Sequence, residues 1–185
     1  DLMIDLIENG VTISEIHEAL CQDKNIIEIE SLKLLRDAER FESLRLLAEE
    51  YFIKYNEYPK VFFANMGSLK QYKARADFST DFLQVGGFHT INKNGFTNIE
   101  EAAQAFFLSN CKVMVICSTD EIYPDVVPQL ARLIKRAKPF TKIVLAGLPV
   151  DFVDEFKMAG VDEFIHIKAN IVETLTRIHN DIINY

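Results

Sequence analysis

Short apolar runs alternate with helical patterns from Pro59 onward, and this alternation limits the fold more than any other feature of the sequence. The runs are rich in Val, Ile and Phe and are bounded by Gly, Asn, Ser or Thr, which is typical of strands. They predict five strands, at residues 60–65, 88–91, 112–118, 142–146 and 163–167. Nearly continuous apolar strands that alternate with amphipathic helices indicate a parallel sheet covered on both faces. A capping box at residues 97–100 is predicted to begin the helix after the second strand, and Gly160 is expected to end the helix before the fifth.

Five such units favour an α/β fold with a flavodoxin-like, doubly wound, five-stranded parallel sheet in the strand order 2-1-3-4-5. In that order the winding reverses between the first and third strands. A ligand crevice is therefore expected at the carboxyl ends of these two strands. The loops that border it are residues 65–75 and 118–123.

The part of the chain before Pro59 is predicted to be helical. A capping box at Thr12 and Glu15 begins a short helix that runs to about Leu20, and a second helix is expected over residues 31–55. We interpret residues 1–58 as a helical connector and residues 59–185 as the α/β domain. Four leucines of the connector fall outside the main apolar face, which suggests contact with another subunit or domain: Leu32, Leu35, Leu46 and Leu47.

Charge and cysteine content exclude several kinds of protein. The chain carries 20 Lys and Arg against 28 Asp and Glu, a net charge of -8, with no basic cluster of the kind that nucleic acid requires. No apolar run reaches the roughly 18 to 20 residues of a membrane span. Three irregularly spaced cysteines predict neither a disulfide framework nor a zinc site, and a reducing cytoplasm is expected.

The ligands that this fold commonly binds each require particular side chains in the crevice loops. One Gly and one Ser in loop 65–75 are too few for a flavin phosphate cradle. Asp120 and Lys168 fit a phosphoryl-receiver site loosely, but no carboxylate near Asn65 completes a magnesium site. Tyr72 and Cys117 are expected to be structural, as are the histidines of the predicted strands, His89 and His166.

Four short stretches carry a family resemblance: 64–67 (ANMG), 85–88 (VGGF), 127–130 (VPQL) and 159–162 (AGVD). Over about residues 59–175 the chain resembles the cobalamin-binding domain of methylmalonyl-CoA mutase. Residues 73–78 (KARADF) and 117–121 (CSTDE) are most similar to the small subunit of the heterodimeric bacterial enzymes. Residues 37–45 (DAERFESLR) resemble the connector that follows the barrel domain, so the chain, which begins at Asp1, is interpreted as a fragment with a missing upstream barrel-like domain.

The resemblance also implies that the corrinoid site is degenerate. The family motif D-x-H-x-x-G supplies the lower cobalt ligand, the carboxylate that orients it and a close backbone approach, and it aligns with Leu69, Gln71 and Ala74. Two further family motifs, S-x-L and G-G, line the cavity for the nucleotide tail. The residues at these positions are Cys117, Ser118, Thr119, Ala146 and Gly147.

From the resemblance we expect a non-catalytic segment without a metal or a corrinoid of its own. Its partner would be the large catalytic subunit, which carries adenosylcobalamin and interconverts methylmalonyl-CoA and succinyl-CoA. The alternative is a flavodoxin-like small-molecule-binding or phosphoryl-regulated signalling module. In that alternative Lys70, Arg75 and Asp120 would be the important residues.

Overall fold

The computed structural model describes residues 2–20, 36 and 38–183, in two compact units, residues 1–35 and 36–185. The first unit contains helices α1 (Leu2–Glu8) and α2 (Ile13–Leu20). The capping box predicted for α2 is present: the Thr12 amide donates to Glu15 Oε2 at 2.8 Å, and the Glu15 amide donates to Thr12 Oγ1 at 3.3 Å. These bonds satisfy amide groups that the first helical turn leaves unpaired.

The predicted long helix is shorter at its start. Helix α3 spans Glu39–Tyr55, while residues 31–35 and 37, and with them Leu32 and Leu35, lie outside the described residues. Leu44 of α3 is buried in the same apolar cluster as residues of the last helix, and Ala48 of α3 is buried as well. Helix α3 therefore belongs to the same compact unit as the sheet, and the predicted boundary between residues 58 and 59 falls inside that unit.

The second unit is a five-stranded, all-parallel sheet in the order 2-1-3-4-5, which confirms the predicted fold class. Its strands are β1 (Lys60–Asn65), β2 (His89–Ile91), β3 (Val113–Cys117), β4 (Lys142–Ala146) and β5 (Glu163–Ile165). The predicted fifth strand ran to residue 167, but Ile165 already pairs with Ala146, the last residue of β4. His166 and Ile167 have no neighbouring strand to pair with and lie beyond the sheet.

Helices cover both faces of the sheet and complete each crossover. They are α4 (Leu69–Val85), α5 (Ile99–Ser109), α6 (Tyr123–Ala137), a 3₁₀ turn (Val150–Phe152), α7 (Val153–Ala159) and α8 (Ile171–Ile183). The start of α5 differs from the sequence pattern by one residue. Asn98 caps it by accepting from the Glu101 amide at 2.8 Å, so the capping box proposed at residues 97–100 is wrong.

Two apolar layers enclose the sheet. Because side chains alternate along a strand, Phe62 and Ala64 of β1 enter one layer, whereas Val61 and Phe63 enter the other. Helices α5, α6 and α7 cover the first layer, and α3, α4 and α8 cover the second. Both faces of the sheet are therefore buried, and the carboxyl ends of the strands remain as the place for a site.

Candidate functional site

The loop after β1 is tied to the loop after β3. The Met66 amide donates to Cys117 O at 2.8 Å, and the hydroxyl of Ser118, which is fully buried, donates to Met66 O at 2.9 Å. These bonds continue the pairing of β1 with β3 past the end of both strands. The two loops predicted to border the crevice do meet there, as the strand order requires.

A loop that follows β2 covers the end of β1. Asn65 is fully buried, and its Nδ2 donates to Asn92 Oδ1 and to Lys93 O, both at 2.7 Å. The Gly67 amide donates to Phe96 O at 3.0 Å, and Tyr72 accepts from the Gly95 amide at 3.1 Å. The polar run of residues 92–95 is the only feature of the sequence that indicates this cover.

Gln71, at the position of the cobalt-ligating histidine, caps its own helix. Its Oε1 accepts from the Ser68 amide at 2.7 Å and from the Ser68 hydroxyl at 2.8 Å. A Cβ at Gly67, which has a φ of +91°, would lie only 2.6 Å from the same oxygen. Gln71 is therefore held at the amino end of α4 by a capping box.

The other two positions of the degenerate motif face solvent. Leu69 is 59% exposed, and Ala74 is exposed one turn further along α4. Neither side chain offers an atom that could ligate cobalt or orient an imidazole. Together with the capping role of Gln71, this means that the donor set of this loop does not fit a corrinoid.

Arg75 occupies the crevice between the two loops. Its Nη2 lies 2.8 Å from Asp120 Oδ2, and its guanidinium lies 4.9 Å from the centre of the Tyr123 ring. A Cβ at Gly147 would approach Arg75 Nη1 to 3.1 Å, so the arginine reaches the end of β4 as well. Burial lowers the pKa of Arg75, but its hydrogen bond with Asp120 and the influence of Tyr123 outweigh burial and raise it. The crevice thus holds a permanent cation and its counter-ion.

The Tyr123 ring lies under the Arg75 guanidinium, and its hydroxyl connects two strand ends. The side chain is fully buried; its hydroxyl donates to Ala146 O at 2.5 Å and accepts from the Ser118 amide at 3.1 Å. Burial raises the pKa of the phenol, which stays protonated. One hydroxyl therefore joins the carboxyl ends of β3 and β4.

Three of the five positions that align with the family's tail-cavity motifs are buried. Cys117, Ser118 and Ala146 are buried, and burial raises the pKa of the Cys117 thiol well above its ordinary value. Thr119 Oγ1 is buried without a hydrogen-bond partner among the described residues. Cys117 and Tyr72 are both buried, and the Tyr72 hydroxyl is hydrogen-bonded to the Gly95 amide.

The residues of the phosphoryl-receiver alternative are only partly brought together. Asp120 contacts Arg75, whereas Lys70 and Lys168 are exposed on α4 and after β5. Within residues 2–20 and 38–183, no three His, Cys, Asp or Glu side chains group as a metal ion would require. No described helix is long and apolar enough to cross a membrane.

Comparison with curated proteins identifies relatives of one kind. The chain is 33% identical over 153 residues to the methylmalonyl-CoA mutase small subunit of Porphyromonas gingivalis, covering 83% of this chain and 23% of the relative. It is 29% identical over 145 residues to that of Streptomyces virginiae, covering 78% of this chain and 22% of the relative. The chain is a homologue of the methylmalonyl-CoA mutase small subunits. It spans less than a quarter of their length.

Some solved structures are similar to part of this mutase small-subunit homologue. They include a response regulator from Thermotoga maritima, with a TM-score of 0.46 at 20% identity over 67% of this chain and 97% of that chain. A CheY-like protein from Pseudomonas aeruginosa PAO1 has a TM-score of 0.49 at 19% identity over 66% of this chain and 92% of that chain. Likeness at this level carries no information about activity. No family model matches the chain.

Proposed function

We propose that this chain is a non-catalytic segment of a methylmalonyl-CoA mutase small subunit, which has lost corrinoid binding and contributes architecture and subunit contacts. Its partner in this proposal is a large catalytic subunit that uses adenosylcobalamin to interconvert methylmalonyl-CoA and succinyl-CoA. The homology to mutase small subunits supports the family. The observation that carries the proposal is the ion pair of Arg75 with Asp120, which places the chain's own side chains in the crevice.

The chemistry of the crevice supports a loss of corrinoid binding. A lower cobalt ligand needs a nitrogen donor held by a second group. At the corresponding position, the carboxamide of Gln71 accepts hydrogen bonds from Ser68 at the start of α4. Leu69 has no acceptor atom that could orient a ligand at position 71. The described cysteines, Cys111 and Cys117, are free thiols, which fits the cytoplasmic location that we propose for the complex.

A phosphoryl-regulated module has less support. Such a site needs a group of carboxylates to hold a magnesium ion beside the acceptor aspartate. Asp120 instead pairs with Arg75, and the part of the chain that the structure describes holds no such acidic group.

Neither the natural chain nor a Gln71→His variant is expected to bind a corrinoid. The new imidazole would lack an orienting carboxylate, a loss that typically costs roughly 10- to 100-fold in metal affinity. The substitution would also remove the Gln71 half of the capping box of α4. Titration with hydroxocobalamin and adenosylcobalamin, followed by visible absorption, measures this directly.

The matched variant for that titration is Leu69→Asp, Gln71→His, Ala74→Gly, which restores all three positions of the family motif. We expect the spectrum of imidazole-ligated cobalamin only when these three changes are made together and are accompanied by changes at Thr119 and Ala146 that reopen the tail cavity. Saturable binding by the natural chain, or tight binding with that spectrum by the single variant, would contradict the proposed loss.

Contact with the large subunit is expected to use the outer surface of α3. Leu46 is 56% exposed and Ile53 lies two turns away, also exposed, whereas Leu47 is partly buried against the core. The sequence pattern predicts that both Leu46 and Leu47 contact a partner. Because Leu47 packs against the core, we expect this contact from Leu46 alone. Since a buried leucine contributes about 1.5–3 kcal/mol, Leu46→Glu should weaken subunit association at least about tenfold.

Co-purification of tagged large subunit with each variant measures this association. Leu108→Glu is a matched control, because Leu108 is a similarly exposed leucine on α5, at 77%. Equal recovery of the Leu46→Glu and natural chains would place the subunit contact elsewhere. A similar loss with Leu108→Glu would show a general effect of added charge.

A further inference from the structure

A pocket lies at the amino end of β2, between α3 and the end of α4. Its volume is about 570 Å³, within the roughly 300–1,000 Å³ of ligand pockets. Two of its lining residues, Ala48 and Gly87, are in close contact: Gly87 has a φ of +81°, and a Cβ there would lie 2.7 Å from Ala48 Cβ. Helix α3 therefore packs directly on the turn before β2. The crevice lies at the carboxyl ends of the strands, so this pocket is a separate site.

An aromatic surface in this pocket is held in place by ring stacking. Tyr58 and His89 line the pocket, and their ring centres lie 4.5 Å apart with the planes inclined by 27°. Phe52 also stacks on Tyr58, with ring centres 4.7 Å apart. The His89 side chain is exposed and Tyr58 is partly exposed. The two rings are thus accessible, and they suit the aromatic part of a ligand.

Arg45 of α3 supplies a positive charge to the same pocket. Its Nε donates to Val85 O at 3.3 Å, which ties the guanidinium to the end of α4. The two Nη atoms have no acceptor among the described residues, and the side chain is exposed to solvent. A carboxylate can therefore reach them, and it matches the geometry of a guanidinium.

Glu49 supplies a negative charge one helical turn after Arg45. Residues four apart on a helix are close enough to form an ion pair, but Arg45 and Glu49 do not. The Glu49 carboxylate is exposed and has neither an ion pair nor a hydrogen bond within the part of the chain that the structure describes. The other polar residues of the lining carry no permanent charge. The pocket therefore presents one cation and one anion that are each open to a ligand.

We propose that this pocket binds a free α-amino acid with an aromatic side chain. Its carboxylate lies toward Arg45, its ammonium group toward Glu49 and its ring against Tyr58 and His89. A free amino acid matches the pocket because it carries both charges on one small body, and the Cβ atoms of residues four apart on a helix are only about 5–6 Å from each other. A residue within a peptide chain carries neither charge. The site is additional to the proposed function and requires no corrinoid and no large subunit.

The test uses the complete chain at pH 7 with L-phenylalanine as the probe. Two analogues each lack one charge: 3-phenylpropionate has no ammonium group, and 2-phenylethylamine has no carboxylate. Amide shifts in two-dimensional NMR should saturate with L-phenylalanine, in the millimolar range, at residues around Arg45, Gly87 and Thr90. Each analogue should bind at least about tenfold more weakly, because it leaves one charge of the pocket unmatched.

Two variants separate the two charges. Arg45→Gln should weaken L-phenylalanine binding at least about tenfold but leave the weaker binding of 2-phenylethylamine unchanged. Glu49→Gln should weaken L-phenylalanine binding to a similar extent but leave that of 3-phenylpropionate unchanged. Arg40→Gln and Glu50→Gln are matched controls, since both residues are exposed on α3 outside the pocket lining. Both controls should bind L-phenylalanine as the natural chain does.

All four substitutions are at exposed positions, so the fold should be retained, and the NMR spectrum itself verifies this. The proposal would be overturned by the absence of a saturable shift with L-phenylalanine or by equal binding of the three compounds. A similar loss of binding in the control variants would also overturn it. Corrinoid titration and subunit association are independent of these results.

Discussion

Replacing Tyr123 with alanine is expected to lower the free energy of unfolding by about 3–5 kcal/mol, as for other large buried aromatic side chains. The ring, at the start of α6, is fully buried against residues of the sheet, and its hydroxyl joins the Ser118 amide to Ala146 O. The Arg75 guanidinium lies over the same ring. Loss of Tyr123 therefore removes packing, two hydrogen bonds and the base of the crevice together.

Urea unfolding of the complete chain, followed by circular dichroism, measures this change. Tyr123→Phe keeps the ring and should cost about 1–3 kcal/mol, because Ala146 O and the Ser118 amide lose a buried partner. Leu108→Ala, at an exposed position of α5, should stay within about 0.5 kcal/mol. If Tyr123→Ala were as mild as Leu108→Ala, the crevice would not depend on this anchor.

His179 should make the stability of the fold fall at acidic pH. The ring is fully buried on α8, lies 4.2 Å from the Phe88 ring and places Nε2 2.7 Å from Gly86 O. Burial lowers its pKa below the ordinary 6.5, against an opposing effect of the bond to Gly86. At acidic pH the unfolded chain therefore binds a proton at His179 more readily than the folded chain does. The contribution of His179 to stability is fully present above about pH 6.5 and decreases as the pH falls toward the pKa of the folded state.

Denaturation midpoints between pH 5 and pH 8 test this direction. His179→Gln keeps a donor for Gly86 O but cannot titrate, and should flatten the dependence. His179→Ala should in addition lower stability at neutral pH by about 2–4 kcal/mol, through a cavity and an unpaired carbonyl. His89→Gln, which removes an exposed histidine, is the control. An unchanged pH profile in His179→Gln would show that another group is responsible.

The strand order could be predicted from the sequence because each strand and helix is marked by a local pattern of residues. Apolar runs gave strands β1 and β4 with their observed bounds, and Gly160, with a φ of +114°, ends α7 as expected. The parallel order then followed from general rules of chain connection. The predicted ends of helices and strands were wrong where an adjacent residue or strand determined the structure. Asn98 replaced Thr97 as the cap of α5, and β5 stopped at Ile165 because β4 ends beside it.

The crevice was less predictable, because its contacts join residues that are distant in the chain. Arg75 and Asp120 were each named for a phosphoryl site, yet their pairing with each other came only from the structure. The cover formed by residues 92–96 depends on Asn65, whose buried amide binds it across 27 residues. His179 likewise reaches Gly86 from 93 residues away. No local pattern in the sequence indicates such contacts.

The sequence by itself determined the α/β class, the strand order and the position of the crevice. These follow from periodicity, charge and residue identity, which are local properties of the chain. Only the tertiary structure decided what occupies the crevice: Gln71 turned back to cap α4, and Arg75 was held between Asp120, Tyr123 and Gly147. The physical reason is that a long polar side chain takes the partners that folding brings within reach, and those partners come from other strands.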